Sequence, residues 1–266
     1  MKTLFKDRYR QTKLLIGMVH TLPLPGSPLY DRAGGVRKVA RQALQEAQIL
    51  CNAGFHTIMY CNESDMPYEQ RMRPETIAAM TDVIAECQAH VDVPHGVNML
   101  IDPYASIAIA HATEGGFVRC FLTGCYVGDL GQYVPDAAGV LRMRADIGAE
   151  QVAIISNVTA GFSVNLDHRS VATAGKGAVF LGLADAVCVS GPAAGAEAEL
   201  AMVKSVADAV PDTPVVVGTG VSRENIASLA AVADAFIVGT SIKVDGKTLN
   251  PVDPRRADAL IQAIAA

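Results

Sequence analysis

Val217-Gly218-Thr219-Gly220-Val221-Ser222 and, a little further on, Ile237-Val238-Gly239-Thr240-Ser241 decide how this chain is read. Each is a short apolar run that stops at a glycine beside a hydroxyl residue. The runs read as buried strands. Glycines at their ends let the backbone approach an anion closely, and successive N–H groups point at it. In a (β/α)8 barrel such turns after the seventh and eighth strands are a recurrent phosphate site. The alternative is that these glycines only make tight turns. Two such turns in the two appropriate units favour phosphate, held by Gly218, Thr219, Gly220, Gly239, Thr240 and Ser241.

Counting backwards tests that placement. Apolar strands are expected at Leu14 to His20, Thr57 to Cys61, Pro94 to Leu100, Phe117 to Leu122, Gln151 to Ser156, Ala186 to Val189, Pro214 to Val217 and Ala235 to Val238. Segments of helical period separate them, beginning with one from about Gly35 to Ala53. Ser222 is placed to cap the helix after the seventh strand, and Pro254 opens the last one. Eight βα units predict an α/β fold, a single (β/α)8 TIM barrel of the phosphate-binding type, over residues 1–266, with 1–13 as an N-terminal arm. The length of 266 residues suits one such barrel, and the 50% hydrophobic content suits strands covered by helices. An open dinucleotide-binding sheet fits less well, because Gly218-Thr219-Gly220 lacks the third glycine of that fingerprint.

The net charge of −5 offers no basic footprint for nucleic acid. No apolar run is long enough to span a bilayer, and the start lacks a secretory pattern, so a cytoplasmic protein without an integral membrane segment is expected. The six cysteines show no metal-binding spacing and read as reduced thiols. A homo-oligomer is the default expectation for such a chain.

Barrel chemistry sits just past the C-terminal ends of strands. His20 ends the first strand and reads as a general acid or base, or as a structural histidine. Asp65, Asp102 and Asn98 follow the second and third strands. Asp65, Asp102 and Asp129 are candidate bases, hydroxyl acceptors or magnesium ligands, or else caps and turn residues. Arg119 lies within the fourth strand, where a charge must face a polar layer, as a ligand for an anion or as half of an ion pair. Asn62, Asn157, Ser190 and Gly191 complete the polar strand ends. Schiff-base chemistry is set aside, since only Lys243 lies near a strand end and it falls beyond the phosphate loop.

The run Leu15-Ile16-Gly17-Met18-Val19-His20-Thr21-Leu22-Pro23-Leu24-Pro25-Gly26-Ser27-Pro28 resembles the BtpA/SgcQ family, as do Asp65-Met66-Pro67-Tyr68, Gly96-Val97-Asn98-Met99-Leu100, Phe117-Val118-Arg119, Asp129-Leu130-Gly131 and Asn250-Pro251-Val252-Asp253. The resemblance implies a TIM barrel related to phosphate-binding barrels, in a family associated with photosystem I biogenesis and with sugar-uptake gene clusters. The chain departs from the family pattern at Cys61-Asn62, where Glu-Asn is expected. It departs again at Asn157-Val158-Thr159-Ala160-Gly161-Phe162, where Asp-Val followed by Lys-His is expected.

The combined reading is an enzyme acting on a phosphorylated sugar or nucleotide-like metabolite, with magnesium as an optional cofactor. Isomerisation, lyase chemistry and glycosidic-bond cleavage stay open. The alternative is a non-catalytic assembly or regulatory factor that keeps the phosphate pocket. A weaker idea is attachment to a membrane surface through an exposed Leu22-Pro23-Leu24-Pro25 loop.

Overall fold

Side chains alternate between the two faces of a strand, so in a barrel every second residue points into the interior and the rest face the helices. In the computed structural model, which describes residues 5, 7, 13–161 and 163–265, the strands are β1 (Leu14–His20), β2 (Thr57–Cys61), β3 (His95–Asn98), β4 (Phe117–Cys120), β5 (Tyr126–Gly128), β6 (Gly131–Tyr133), β7 (Ala153–Asn157), β8 (Ser163–Asn165), β9 (Ala186–Val189), β10 (Val215–Val217) and β11 (Ala235–Val238). Eight of them close into a parallel barrel in the order β1-β11-β10-β9-β7-β4-β3-β2. The helices are α1 (Gly35–Ala53), α2 (Pro74–Gln88), α3 (Pro103–Ala112), α4 (Ala137–Asp146), α5 (Val171–Phe180), α6 (Leu200–Ala209), α7 (Ile226–Ala230) and α8 (Pro254–Ala265).

The alternation splits the core in two. Leu15, Val19, Ile58, Val97 and Val217 pack outward against the helices. Ile16, Met18, Met59, Phe117, Ile155 and Ile237 fill the lower interior. Large and small residues interlock there: a Cβ on Gly96 would stand 2.4 Å from the Phe117 ring, so glycine makes the room that phenylalanine takes. Phe5 closes the same interior edge-on to Phe117, at 5.8 Å between ring centroids. Most of the expected arm, residues 1–13, lies outside the described residues.

Four features differ from the sequence reading. First, several strands are a residue or more shorter than expected. Second, β5, β6 and β8 form a three-stranded antiparallel sheet in the order β6-β5-β8, inserted after β4 and β7. Third, α7 begins later than expected, at Ile226, and Ser222 caps the turn that leads into it: its Oγ accepts the Glu224 N–H at 3.3 Å, its carbonyl accepts from the Ile226 N–H at 3.0 Å, and its own N–H donates to Asn225 Oδ1 at 2.9 Å. Fourth, the proline-rich loop is not an apolar surface finger, because Leu24 is fully buried. Among the described residues, no helix is long and apolar enough to cross a membrane.

Candidate functional site

The same parity that fills the lower interior with aliphatics puts a polar layer at the C-terminal end. His20, Cys61, Asn98, Arg119 and Asn157 are the uppermost inward positions of their strands, and Ser190, Gly218 and Gly239 continue the layer just beyond theirs. A cavity of about 280 Å³ lies over the β10 and β11 ends. Gly218, Thr219, Gly220, Gly239, Thr240 and Ser241 all line it, together with His20, Asn98 and Arg119.

The two glycine turns are built for close backbone approach. Gly220 has φ of +69°, and a Cβ there would lie 2.4 Å from the Ala196 carbonyl oxygen, so no other residue fits. A Cβ on Gly239 would meet His20 Cε1 at 3.1 Å. The hydroxyls are already engaged. Thr219 Oγ1 accepts from the Gly191 N–H at 2.7 Å and donates to the Ala196 carbonyl at 2.9 Å, while Ser241 Oγ donates to the Val221 carbonyl at 2.6 Å. Thr240 Oγ1 pairs with Thr248 Oγ1 at 2.9 Å. These side chains therefore brace the loops. Among the described residues, the backbone N–H groups of Gly220, Val221, Thr240 and Ser241 meet no protein acceptor and belong to residues that line the cavity.

His20 is tied to this loop pair. Its Nδ1 stands 3.2 Å from the Thr248 carbonyl, which only accepts, so Nδ1 carries the proton and Nε2 keeps its lone pair. Burial, and secondarily the nearby Lys243 charge, lower its pKa from 6.5 to about 3, so the ring is neutral at ordinary pH. Lys243 is fully buried, with Nζ at 2.8 and 2.7 Å from the two oxygens of Glu46. Glu46 Oε2 also accepts the His20 N–H at 3.3 Å, and Oε1 the Val252 N–H at 3.3 Å. Desolvation pulls the lysine down and pushes the glutamate up, while each partner's charge opposes the shift of the other. An ammonium held by both carboxylate oxygens is a structural clamp behind His20.

Arg119 reaches across the barrel. Its Nε donates to Asn157 Oδ1 and its Nη2 to Ser190 Oγ, both at 2.9 Å. The guanidinium makes no ion pair with a carboxylate among the described residues, and its charge acts on Glu63. Asn98 is 5% exposed, and its side-chain amide has no partner among the described residues. A buried unsatisfied amide on a cavity wall is a costly arrangement without a ligand.

Four expected site residues belong elsewhere. Asp65 accepts from the Leu24 N–H at 2.7 Å and from Asn62 Nδ2 at 3.1 Å, so it anchors the proline loop. Asn62 is fully buried and uses Oδ1 to accept the Leu100 N–H at 2.8 Å. Asp102 caps α3 through the N–H groups of Tyr104 and Ala105 and takes the Met72 N–H at 2.7 Å. Asp129 is exposed in the turn between β5 and β6. Their lone pairs are spent on backbone N–H groups and on the side chains of Asn62 and Arg71, or are open to solvent, and none lines the cavity.

Glu63 is the residue that sequence reasoning missed. It follows β2 on the inward parity, two residues beyond Cys61, whose Sγ donates to Glu63 Oε2 at 3.6 Å. Burial raises its pKa, opposed by the Cys61 contact and by the Arg119 and Lys243 charges. Counting by twos from Thr57 would have found it. Among the described residues, no three His, Cys, Asp or Glu side chains group as a metal site.

A family model described as the BtpA family matches residues 11–266. The chain belongs to the BtpA family. It is 36% identical over 252 residues to the putative sgc region protein SgcQ of Escherichia coli, covering 95% of this chain and 94% of that one. It is 34% identical over 254 residues to the photosystem I biogenesis protein BtpA of Synechocystis, covering 94% and 88%. Among solved structures, a ligand-free mutant tryptophan synthase from M. tuberculosis matches with a TM-score of 0.61 at 17% identity over 100% of both chains. That likeness shows the TIM-barrel fold.

Proposed function

We propose that this BtpA-family barrel is an enzyme whose substrate is a phosphorylated metabolite, a sugar phosphate or a nucleotide-like compound, bound at the C-terminal mouth. The observation that carries the reading is the set of four backbone donors without a protein acceptor among the described residues, at Gly220, Val221, Thr240 and Ser241, on residues that line a cavity shared with His20, Glu63, Asn98 and Arg119. Backbone N–H groups held by two braced loops bind a phosphate with no side-chain reorganisation. Neutral His20 offers Nε2 as an acceptor and Glu63, with its raised pKa, holds or takes a proton, while Arg119 steadies negative charge on the reacting end. Two titratable groups pushed in opposite directions on one cavity wall suit proton transfer.

Calorimetry against inorganic phosphate, sugar phosphates and nucleoside monophosphates, with and without magnesium, tests this reading. Phosphorylated ligands are expected to bind, and T240E, which puts a carboxylate beside the donors, to weaken them by about 100-fold, the scale of repulsion between poorly screened like charges. Turnover of the bound compound is expected to drop sharply in H20A. Silence across the panel would overturn the phosphate site and favour an assembly role. Binding without turnover would favour a ligand sensor.

A further inference from the structure

A second cavity, of about 200 Å³, opens from the first. The two share Glu63, Asn98, Leu100, Arg119, Ala194 and Thr219 on their walls, so they form one cleft with two lobes. The lobes differ in chemistry. The first is floored by glycine turns. The second is walled by Tyr68, Leu100, Phe121, Tyr126 and Tyr133. Its far side is built by the inserted sheet: β5 pairs with β6 so that Tyr126 lies opposite Tyr133. The Phe121 ring sits 4.9 Å from Tyr126 and 5.8 Å from Tyr133, centroid to centroid. Apolar surface predominates in this lobe; its inner end is polar, where Asn157 and Ser190 hold Arg119, and Thr159 and Ser163 line the side toward β8.

We infer that the second lobe holds a planar ring, so that the substrate is a phosphorylated sugar bearing an aromatic or heteroaromatic group, a nucleotide-like molecule rather than a plain sugar phosphate. This deepens the proposed function and rests on its phosphate site. An apolar, aromatic-walled chamber continuous with an anion site is wasted on a polyol, whose hydroxyls lose water there and gain few partners. A flat ring stacks on such walls and needs only edge hydrogen bonds. Asn98, the buried amide without a partner, and the remaining amide nitrogen of Asn157 are placed to supply them at the junction. The sugar then lies between the lobes, beside Glu63, Arg119 and His20.

Three probes separate the contributions: adenosine 5′-monophosphate, ribose 5-phosphate and inorganic phosphate. In wild-type protein the monophosphate is expected to bind at least tenfold more tightly than ribose 5-phosphate. A160F fills the second lobe from its β7–β8 wall. It is expected to remove the advantage of the ring while leaving the ribose 5-phosphate Kd unchanged, a control that also shows the variant is folded. Equal affinities in wild type, or a tenfold advantage that survives A160F, would overturn the ring lobe and leave the phosphate reading standing. Failure of both phosphorylated probes and of inorganic phosphate would overturn both.

Discussion

Two sets of polar residues crowd the same end of this barrel, and they do opposite work. Asn62, Asp65 and Asp102 form an outer set whose oxygens accept from Leu100, Leu24, Met72, Tyr104 and Ala105 N–H groups. His20, Glu63, Asn98 and Arg119 form an inner set that faces the cleft. Composition does not separate them, since each holds amides and carboxylates within a few residues of a strand end. Hydrogen-bond satisfaction does. A polar group whose partners are backbone groups and neighbouring loop side chains holds the loop, and one left short of partners on a cavity wall is available to a ligand.

The sharpest way to break the comparison lies behind the inner set. K243M would strand the Glu46 carboxylate in the core, and a loss of about 3–5 kcal/mol is expected in denaturant melts. The double change K243M/E46L should recover only part of it, because it removes the stranded charge but leaves the His20 and Val252 N–H groups without their acceptor. A double variant as unstable as the single one would mean that the pair is not a simple clamp.

The next contrast is Asp102 against Asn98. D102A removes the α3 cap and leaves backbone donors unsatisfied, so it should cost about 1–3 kcal/mol without changing phosphate affinity in the protein that remains folded. N98A should shift stability by no more than about 1 kcal/mol yet weaken binding or turnover. Reversed effects would dissolve the distinction between the two sets.

A smaller effect follows from His20. Its folded pKa lies near 3 and its unfolded value near 6.5, so the unfolded chain binds the extra proton. Stability from this group is therefore present above pH 6.5 and lost as pH falls toward 3, at up to about 1.4 kcal/mol per pH unit. Glu46 and Glu63 have raised values and act in the opposite direction, so the difference between wild type and H20N isolates the histidine. That difference should shrink as the pH is lowered. A difference independent of pH would mean that the ring titrates in the fold as it does in the unfolded chain.

The sequence made the barrel legible because eight apolar runs and their intervening helical periods are long-range, repeated signals. The glycine turns were legible for a related reason: few residue types tolerate Gly220's positive φ. The facing of individual polar residues was less so. Glu63 and Asp65 share a strand-end loop, and their different roles depend on whether the Leu24 N–H reaches back to one of them, a contact between distant segments. The β5–β6–β8 sheet escaped because three-residue strands are too short to show alternation, and its pairing joins loops from two separate βα units. The start of α7 was read too early because the turn that Ser222 caps delays the helix by several residues.

Amide chemical shifts in a titration with inorganic phosphate test the central claim most directly. The amides of Gly220, Val221, Thr240 and Ser241 are expected to move most and together, with one saturation curve. T240E should shift the same response to about 100-fold higher phosphate. Saturating phosphate that leaves these four amides in place, or that moves another set instead, would contradict the assignment of the β10 and β11 loops as the phosphate site.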